Sequence, residues 1–451
     1  MLMQYYNLKK QSDINGLYDA FRRRRAADRA AAEAVAAEIL QKVKEEGDAA
    51  LYEYTLRFDK ADLRTAGLAV SAQELEQARR VLQQQNPGLL QAMEHAAENI
   101  RLFHEHEIER SWRLQREDGS VFGVQASPLA RAGVYVPGGR APLPSSVLMN
   151  VIPAQVAGVD EIIMCTPPGA DGAIDPVILA AAQIAGVHKI YKVGGAQAIA
   201  AMAYGTESIP AVDKITGPGN AYVAAAKARV FGICGIDMIA GPSEILIIAD
   251  QSANPEFVAA DMLSQAEHDP MAASVLLTTE EALAEQAAEA LKRRLPALSR
   301  SEIAGRSLES NGVIVITENL EQAAAISDFI APEHLELCVA DPETLLKRVR
   351  NAGAIFCGHW SPEPMGDYYC GSNHILPTGG TARFSSPLGV WDFMKRTSVI
   401  HYSRAGFLND SAEAALFAQA EGLTAHAESI LSRTDRNRER NPAAEAQGRP
   451  S

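Results

Sequence analysis

The chain is poor in cysteine and has no long apolar run, and both shortages limit what it can be. Its five cysteines are spread out without a C-x-x-C pair: Cys165, Cys234, Cys338, Cys357 and Cys370. Such scatter argues against a disulfide framework and predicts small buried side chains, with Cys370 the exception because it lies in a dense polar motif. No apolar run approaches the roughly 20 residues that span a bilayer, and the amino terminus lacks a signal-like core. We therefore expect a cytoplasmic protein that does not enter membranes.

Basic residues are also in deficit. There are 42 Lys and Arg residues against 56 Asp and Glu, for a formal net charge of -14. An acidic balance of this size repels phosphate-rich surfaces, so it argues against a general binder of nucleic acid or anionic membranes. The 451 residues, with 47% hydrophobic and 22% charged, are typical of a globular protein of two or more domains.

The residue pattern predicts an α/β protein. Residues 26–58 read as one long helix and 72–110 as a second helical stretch, interrupted near Pro87. From Gly133 onward, short β-rich runs alternate with helical runs such as Pro255–Ala266, Glu280–Leu295 and Leu320–Ile330, which is typical of parallel βαβ units. The predicted strands are Gly133–Val136, Glu161–Cys165, Lys189–Val193, Asp213–Ile215, Asp237–Ile239, Glu244–Ile248, Ser274–Thr278, Val313–Ile316, Leu335–Val339 and Ala354–Cys357. These two series predict two doubly wound, Rossmann-like modules with small helical segments at both ends.

The rest of the chain is less regular. Residues 359–388 form a long stretch rich in Gly, Pro and Ser, and loops of this length in compact proteins are usually functional or disordered. Its aromatic and apolar residues favour function. A helical segment over Ser411–Ser432 follows, and the last residues have little to bury, so a disordered tail is predicted there.

Three glycine-rich turns follow predicted strands: Val136–Pro142, Val193–Ala198 and Gly217–Tyr222. Ligands of α/β sheets bind at the carboxyl ends of strands, where glycine allows close approach of the backbone. None of the turns fits G-x-G-x-x-G. Each alone is typical of an ordinary strand-to-helix turn, but three in one module favour a nucleotide site.

Four histidines lie close to a carboxylate or carboxamide, whereas His95, His104 and His106 lie in helical sequence and are predicted to face solvent. The polar pairs are Gln265 with His268, Glu333 with His334, Asp367 with His374, and Glu421 with His426. Gln265 and His268 can share one helix face, although a helix cap or a metal or substrate site would explain them equally. Glu333 and His334 suit proton transfer near neutral pH, although a surface loop would contain the same pair.

Read together, these segments resemble the histidinol dehydrogenase family from about Tyr54 to His426. The ordered set is specific to that family: YVPGGRAPLPSSVLMN, KITGPGNAYV, AGPSEILI, LSQAEHDP, APEHLEL and GSNHILPTGGTARFSSPLGVWDFMKR. The resemblance implies a zinc- and NAD-dependent enzyme that oxidises L-histidinol through the aldehyde to L-histidine. It also implies one zinc ion per subunit and an intertwined homodimer with shared active sites.

The resemblance also assigns roles residue by residue. The implied zinc ligands are Gln265, His268, Asp367 and His426, the last supplied by the other subunit. Glu333 and His334 match the acid–base pair, and Tyr135, Gln197 and Asn220 match contacts to NAD. Substrate contacts are expected from Ser243 and Glu421 and from the ligand and acid–base residues, together with His374.

The family resemblance and the residue pattern also predict the domain organisation. We expect residues 28–134 with 243–388 to form a larger α/β domain and 135–242 a second one. Residues 1–27 with 389–412 would form a small extension, 413–432 a helical segment that reaches the partner subunit, and 433–451 the tail.

In the implied mechanism His334 removes the alcohol proton while hydride passes to NAD. Glu333 then activates a water that adds to the aldehyde, and a second NAD accepts the second hydride. A thiohemiacetal route needs an activated thiolate, and no cysteine has a His or Lys partner placed by the sequence.

Three alternatives stay open. A relative with the same chemistry could act on another amino or sulfonated alcohol, which the residues suited to imidazole and ammonium groups argue against. A zinc hydrolase would leave Tyr135, Gln197 and Asn220 without a purpose. A non-catalytic paralogue is disfavoured by the intact acid–base pair.

Overall fold

The computed structural model describes residues 3–9, 15–19, 21, 30–138 and 142–434. The predicted tail therefore lies outside the described residues apart from 433 and 434, as does part of the glycine-rich turn over 136–142. One compact unit spans Met1–Ile108 with Pro128–Phe393, and a second spans Glu109–Ser127 with Met394–Ser451.

The strands are β1 (Gln4–Asn7), β2 (Trp112–Gln115), β3 (Val121–Pro128), β4 (Arg131–Tyr135), β5 (Glu161–Cys165), β6 (Lys189–Tyr191), β7 (Lys214–Thr216), β8 (Gly235–Ile236), β9 (Glu244–Ala249), β10 (Ala273–Thr278), β11 (Val313–Ile316), β12 (His334–Cys338), β13 (Ala354–Cys357) and β14 (Met394–His401).

The α-helices are α1 (Ala30–Glu46), α2 (Asp48–Asp59), α3 (Leu63–Ala66), α4 (Ala72–Gln85), α5 (Pro87–His104), α6 (Pro144–Ala157), α7 (Pro176–Ile184), α8 (Gly195–Tyr204), α9 (Ala221–Val230), α10 (Pro255–Ala266), α11 (Glu281–Arg294), α12 (Ser301–Asn311), α13 (Leu320–Ile330), α14 (Pro342–Leu346), α15 (Glu363–Tyr368), α16 (Arg404–Ala420) and α17 (Thr424–Leu431). Short 3₁₀ turns cover Glu105–Glu107, Leu295–Ala297, Thr381–Arg383 and Val390–Phe393.

The first unit contains two parallel sheets, so the predicted α/β class is confirmed. One has six strands in the order β1-β11-β10-β9-β12-β13, and the other has five in the order β6-β5-β4-β7-β8. The central strands β9, β10 and β12 are almost wholly buried, which explains their continuous apolar runs. The edge strand β1, with the sequence QYYN, has no such run and was not predicted.

Apolar side chains on the two faces of the six-stranded sheet form separate clusters. One face packs against α10, α11 and α12 through residues such as Met262 and Leu291. The opposite face packs against α13 and α14 through residues such as Ile326 and Leu345. The five-stranded sheet is covered in part by α1, α2 and α8, whose buried residues include Ile39, Leu51 and Ile199.

Two predicted elements differ from the structure. The single long helix over 26–58 is wrong, because α1 and α2 are separated by Gly47, whose φ of 56° no right-handed helix contains. The strand predicted over Asp237–Ile239 is also wrong. Strand β8 ends at Ile236, and the side chain of Asp237 instead turns toward Lys227 and the amide of Gly217.

The second unit contains the three-stranded sheet β14-β3-β2, in which β2 and β3 pair antiparallel, and the helices α16 and α17. The helical segment predicted over Ser411–Ser432 is thus two helices, which separate at Gly422, where φ is 73°. Among the described residues, no helix has the length and apolar character needed to cross a bilayer.

Candidate active site

Glu333 and His334 lie at the amino-terminal edge of the six-stranded sheet. His334 opens β12 and pairs in register with Ile245 of β9, so both strands begin at this edge. The Glu333 carboxylate accepts a hydrogen bond from the Glu244 amide, with Oε2 2.9 Å from N. Both side chains are buried, at 6% and 3% exposure for the two residues. The acid–base pair predicted from the sequence is therefore a buried pair rather than a surface loop.

The two ring nitrogens of His334 have different surroundings. Nδ1 lies 3.1 Å from the Glu244 carbonyl oxygen and 3.1 Å from Oε1 of Gln265, at the end of α10. Facing these oxygens, Nδ1 carries the proton of the neutral ring. Nε2 is buried and has no hydrogen-bond partner. It lies 3.6 Å from Glu363 Oε1 and 3.7 Å from Asp367 Oδ1, so its lone pair points toward two acids.

Both acids come from the short helix α15. Glu363 and Asp367 are four residues apart, so the helix presents them on one face. Asp367 was predicted, but Glu363 was missed. The i, i+4 spacing of two acids in the segment SPEPMGDYY could have indicated Glu363 as a partner of Asp367. The proline and glycine residues there instead predicted a loop. Glu363 is 2% exposed, a level that acids rarely reach unless they are paired, and it lies beside His334.

The buried charges shift one another's pKa values strongly. Burial raises the pKa of Glu333 to about 7 and that of Glu363 to about 8. Burial alone would lower the pKa of His334, but the carboxylates of Glu333, Asp367 and Glu363 outweigh it and raise the pKa to about 10. Burial also acts to raise the pKa of Asp367, yet the neighbouring His334 and His374 hold it below its usual value.

The remaining predicted residues of the first unit surround this pair in different ways. Gln265 is 1% exposed and reaches His334, whereas His268 lies just past the end of α10 and is exposed. The His268 amide donates to the Gln265 carbonyl, 3.2 Å away, which continues the last turn of the helix. Ser243 is half-buried and directly precedes β9, at the same sheet edge as His334.

His374 connects this site to the second sheet. Its Nδ1 lies 3.0 Å from the carbonyl oxygen of Asp367, and its Nε2 lies 3.4 Å from Oγ of Ser146. Ser146 belongs to the first turn of α6, the helix that follows β4 of the five-stranded sheet. The carboxyl-terminal edge of that sheet therefore lies beside the acid–base pair.

The glycine-rich turns lie at this carboxyl-terminal edge. A Cβ atom on Gly138 would lie 2.3 Å from Pro167, and one on Gly194 would lie 2.5 Å from the same residue, so only glycine lets these turns close. Tyr135 ends β4, and its hydroxyl accepts a hydrogen bond from the Gly195 amide, 3.1 Å away. Gly138 and Gly194 thus both pack against the ring of Pro167 at this edge.

The three residues predicted to contact NAD lie at three elements of this edge. Tyr135 is 3% exposed, and its burial raises the pKa to about 12, so it is a neutral hydroxyl at physiological pH. Gln197 is 2% exposed in the first turn of α8. Asn220 is exposed and caps α9, where its Oδ1 accepts from the amides of Tyr222 and Val223.

Glu421 and His426 lie in the second unit. Glu421 follows the end of α16, and His426 lies in α17; both are exposed. Their predicted roles at zinc and substrate stay predictions.

His104 corrects a prediction, since it is fully buried rather than solvent-facing. Its Nδ1 lies 2.6 Å from Glu107 Oε2, and its Nε2 lies 3.4 Å from Nδ2 of Asn373, the residue before His374. The cause is its position on the same face of α5 as the buried Met93 and Ile100.

The buried cysteines stay as neutral thiols at physiological pH. All five are free thiols. Burial raises the pKa of Cys234 to about 11 and that of Cys165 further still. Cys370 is exposed, and its sulfur lies 3.0 Å from Oγ of Ser372.

The site has the donor set of a metal centre. Ligand atoms of His334, Glu363 and Asp367 lie within 4.8 Å of one another. The unpartnered Nε2 of His334 and the two acids facing it are nitrogen and oxygen donors that suit a divalent cation, whereas the carboxamide oxygen of Gln265 lies on the Nδ1 side of the ring. Asp367 belongs both to this group and to the ligand set predicted from the sequence.

These features define an α/β protein with a buried Glu–His pair, a group of potential metal ligands and a sheet edge with glycine-rich turns beside them. A family model described as histidinol dehydrogenase matches residues 22–434. The chain is 53% identical over 395 residues to a histidinol dehydrogenase of Bacillus licheniformis, covering 88% of this chain and 92% of that protein. A histidinol dehydrogenase of Bacillus subtilis is 51% identical over 398 residues, with 88% and 92% covered.

A solved structure agrees with these relatives. The crystal structure of histidinol dehydrogenase from Elizabethkingia anophelis superposes with a TM-score of 0.88 at 38% identity, covering 96% of this chain and 98% of that one. The chain therefore belongs to the histidinol dehydrogenase family. It is an oxidoreductase of histidine biosynthesis, as the sequence motifs predicted.

Proposed function

We propose that the chain oxidises L-histidinol through the aldehyde to L-histidine, using zinc and two molecules of NAD. The observation that carries this proposal is the contact of His374 with both Asp367 and Ser146, because it brings the acid–base site beside the glycine-lined edge. A dehydrogenase needs the carbon that loses hydride to lie next to its cofactor.

The residues fit a zinc ion. We assign Gln265, His268, Asp367 and His426 as ligands, with one ion per subunit and His426 supplied by the other subunit. The support within the first unit is the pair of carboxylates, Glu363 and Asp367, that lies beside His334. When bound, the zinc ion supplies a template that orients the substrate. Nitrogen and oxygen ligands of this kind suit a catalytic rather than a structural zinc site.

His334 is the base that removes the alcohol proton. Its Nδ1 is fixed by the oxygens of Glu244 and Gln265, so Nε2 is the atom that accepts the proton. The acids around it raise its pKa to about 10, which would keep it protonated at neutral pH. A cation held by Asp367 offsets those negative charges and lowers the pKa toward the range in which the ring can act as a base.

Glu333 activates the water that adds to the aldehyde. Its pKa of about 7, raised by burial, suits a carboxylate that accepts a proton near neutral pH. His334 then acts a second time as base.

NAD is assigned to the carboxyl-terminal edge of the five-stranded sheet, with contacts from Tyr135, Gln197 and Asn220. The close backbone turns there leave no room for Cβ atoms, as a cofactor-binding edge requires. NAD supplies the acceptor for one hydride in each of the two oxidations. Ser243, His374 and Glu421 complete the contacts to the substrate.

We further propose that the subunits form an intertwined homodimer in the cytoplasm, with α17 contributing to the partner's site. The two parallel sheets would be doubly wound modules, with boundaries near 134/135 and 242/243. The helical segments at both ends of the chain would form the extension and the partner contact.

The experiment that tests the function is the yield of NADH per molecule of L-histidinol. We expect two NADH per substrate, a loss of activity with a chelator, and recovery on adding zinc. A yield of one would remove the role of Glu333 in the second oxidation. No NADH from zinc-loaded protein would contradict the substrate, and other amino or sulfonated alcohols would then be tried.

A control variant separates metal binding from folding. Asp367→Asn should fold and lose zinc affinity by about 10- to 100-fold or more, because it removes the charge that faces the cation. Unchanged zinc affinity in this variant would contradict the assigned ligand.

A further inference from the structure

A buried ion pair lies beneath the glycine-rich turn over Gly217–Tyr222. The side chain of Lys227, on α9, is 2% exposed, and that of Asp237, just after β8, is 1% exposed. Their charged atoms are in direct contact. Neither residue takes part in the proton transfers or the zinc site proposed above.

The ion pair forms hydrogen bonds with both backbone polar groups of Gly217. The Gly217 amide donates to Asp237 Oδ2, 2.8 Å away, and the Gly217 carbonyl accepts from Lys227 Nζ, also at 2.8 Å. Gly217 has a φ of 118°, and a Cβ there would lie 2.0 Å from the Tyr135 carbonyl oxygen. The turn therefore packs closely against the end of β4, and the ion pair fixes its backbone at Gly217.

Stability alone does not explain such a pair. Removing two charges from water is costly, and replacing a buried ion pair with apolar residues of similar shape is often neutral or stabilising. A buried ion pair can instead act by favouring one backbone conformation over others. Here that geometry is the turn whose fourth residue is Asn220, the start of α9.

We propose that Lys227 and Asp237 are positioning residues for the dinucleotide. By fixing Gly217, they set the path of the chain through Asn220, so that this exposed residue at the start of α9 faces the cofactor. This inference rests on the proposed use of NAD and adds two residues that act through the turn rather than by contact.

The test is a double variant, Lys227→Met with Asp237→Leu, which keeps the shapes and removes both hydrogen bonds to Gly217. NADH binding is measured directly by fluorescence titration of zinc-loaded protein. We expect the Kd for NADH to rise at least ~10-fold, since misplacing a binding group by about 1 Å costs up to ~100-fold. In turnover, KM for NAD should rise while KM for L-histidinol stays near its original value.

Two further variants are the controls. Lys214→Met with Asp392→Leu removes another largely buried ion pair, whose Nζ and Oδ1 are 2.9 Å apart, at the opposite end of β7 from Gly217. It should leave the Kd for NADH within about twofold. Asp237→Asn keeps an oxygen that accepts from the Gly217 amide and should retain most of the affinity for NADH.

Each outcome decides between the proposals. If the unaltered protein binds no NADH, the proposed cofactor is wrong and this inference falls with it. If the unaltered protein and the double variant bind NADH equally, the positioning role is wrong while the proposed function stands. Should the double variant not fold, Lys227→Met with Asp237→Ala removes any misfit of leucine. Failure of both to fold would make the pair a folding requirement and overturn the positioning role.

Discussion

Glu333 and His334 are neighbours in the chain, but their proposed roles differ, because Glu333 would act only in the second oxidation and His334 in both. Glu333→Gln keeps the shape and the oxygen that accepts from the Glu244 amide. We expect this variant to carry out the first oxidation at a near-normal rate and to slow the second by about 100-fold, the usual scale for loss of a general base. The measurement is NADH per L-histidinol in a single-turnover experiment, which should fall from two toward one as aldehyde accumulates.

His334→Asn is the matched comparison for that prediction, because His334 serves in both oxidations. It should slow both by at least about 100-fold while zinc content is unchanged. Equal slowing of the two steps by Glu333→Gln would contradict the division of roles.

The raised pKa of Glu333 predicts a pH dependence. The carboxylate must be ionised to take a proton from water, and burial raises its pKa to about 7. Oxidation of added aldehyde should therefore be slow at pH 6, rise through pH 7, and level off above it. The pH profile of kcat/KM should lose this rise in Glu333→Gln, which does not titrate. An identical rise in that variant would assign the titration to another group.

Residue identity in this site was largely predictable, but burial was not. The motifs singled out Glu333, His334, Gln265 and Asp367 as candidates, and the structure brings these four side chains together. His104 was misread because its neighbours in sequence are charged, whereas its neighbours on the helix face are apolar. Side-chain burial depends on contacts between distant segments, which local sequence does not contain.

At the scale of elements, the break between α1 and α2 depends on Gly47. Its φ of 56° is a conformation that L side chains rarely adopt, and a Cβ there would lie 2.3 Å from Glu207 Oε2. Gly47→Ala should lower the free energy of unfolding by about 1–3 kcal/mol, the cost of a strained backbone residue. Chemical denaturation measures this difference.

Gly88→Ala is the matched control for that substitution. Gly88 lies in the first turn of α5, and the nearest atom to its added Cβ is 3.9 Å away. Alanine there should be neutral or stabilise the protein by about 0.5–1 kcal/mol. Equal destabilisation by the two substitutions would show that the backbone conformation at Gly47 is not the cause.

A second element contact, between β12 and α10, should make stability depend on pH. Glu336 and Asp261 are neighbouring acids of these elements. Burial raises the pKa of Asp261 to about 6, and burial together with the charge of Asp261 raises that of Glu336 well above its usual value. A carboxyl group whose folded pKa is raised stabilises the fold below its unfolded pKa, near 4. This stabilisation is lost as pH rises through the folded value. Stability from this contact should therefore fall between about pH 4 and pH 6 and beyond.

Glu336→Gln tests this contact, because glutamine can donate to Asp261 without a titrating proton. The difference in Tm between pH 5 and pH 8 should be smaller in Glu336→Gln than in the unaltered protein. Glu321→Gln, at an exposed ion pair with Arg348, should not change that difference. If stability depended on pH in the same way in all three proteins, the contact between Glu336 and Asp261 would not be the cause.

Sequence periodicity predicted the buried strands and several helices well, because a buried parallel strand must be continuously apolar. The bounds of β5, β11, β13, α10 and α13 match the predicted ranges. It missed β1 and the antiparallel pair β2–β3, whose residues are half-buried or exposed and so lack a clear pattern. It also missed α12, because Gly305 and three serines weaken the helical pattern there.

For the whole molecule, the important arrangement is that the two sheets present opposite edges to one site. The acid–base pair is at the amino-terminal edge of one sheet, and the glycine-rich turns are at the carboxyl-terminal edge of the other. The general preference of α/β proteins for carboxyl-terminal edges predicts only the second of these. How two modules face each other depends on long-range packing, so the sequence pattern alone could not predict it.

The proposed exchange of His426 between subunits makes a prediction for the assembled protein. His334→Asn and His426→Asn variants should each be nearly inactive. Refolded together in equal amounts, half of the dimers should contain one subunit of each kind. In such a dimer, one site has both substitutions and the other has neither, if His426 acts in the partner's site. The mixture should therefore regain about a quarter of the unaltered activity.

The alternative arrangement gives a clear contrast. If His426 served the site of its own subunit, every site in the mixture would carry one substitution and no activity would return. The control is a mixture of His426→Asn with Glu333→Gln, in which formation of L-histidine is measured because Glu333→Gln should keep the first oxidation. This mixture should also regain activity, because Glu333 and His334 lie in the same subunit's site. A mixture of His334→Asn with Glu333→Gln should not, because each site would keep one defect of its own. Recovery in the first two mixtures but not the third would establish a site completed by two subunits.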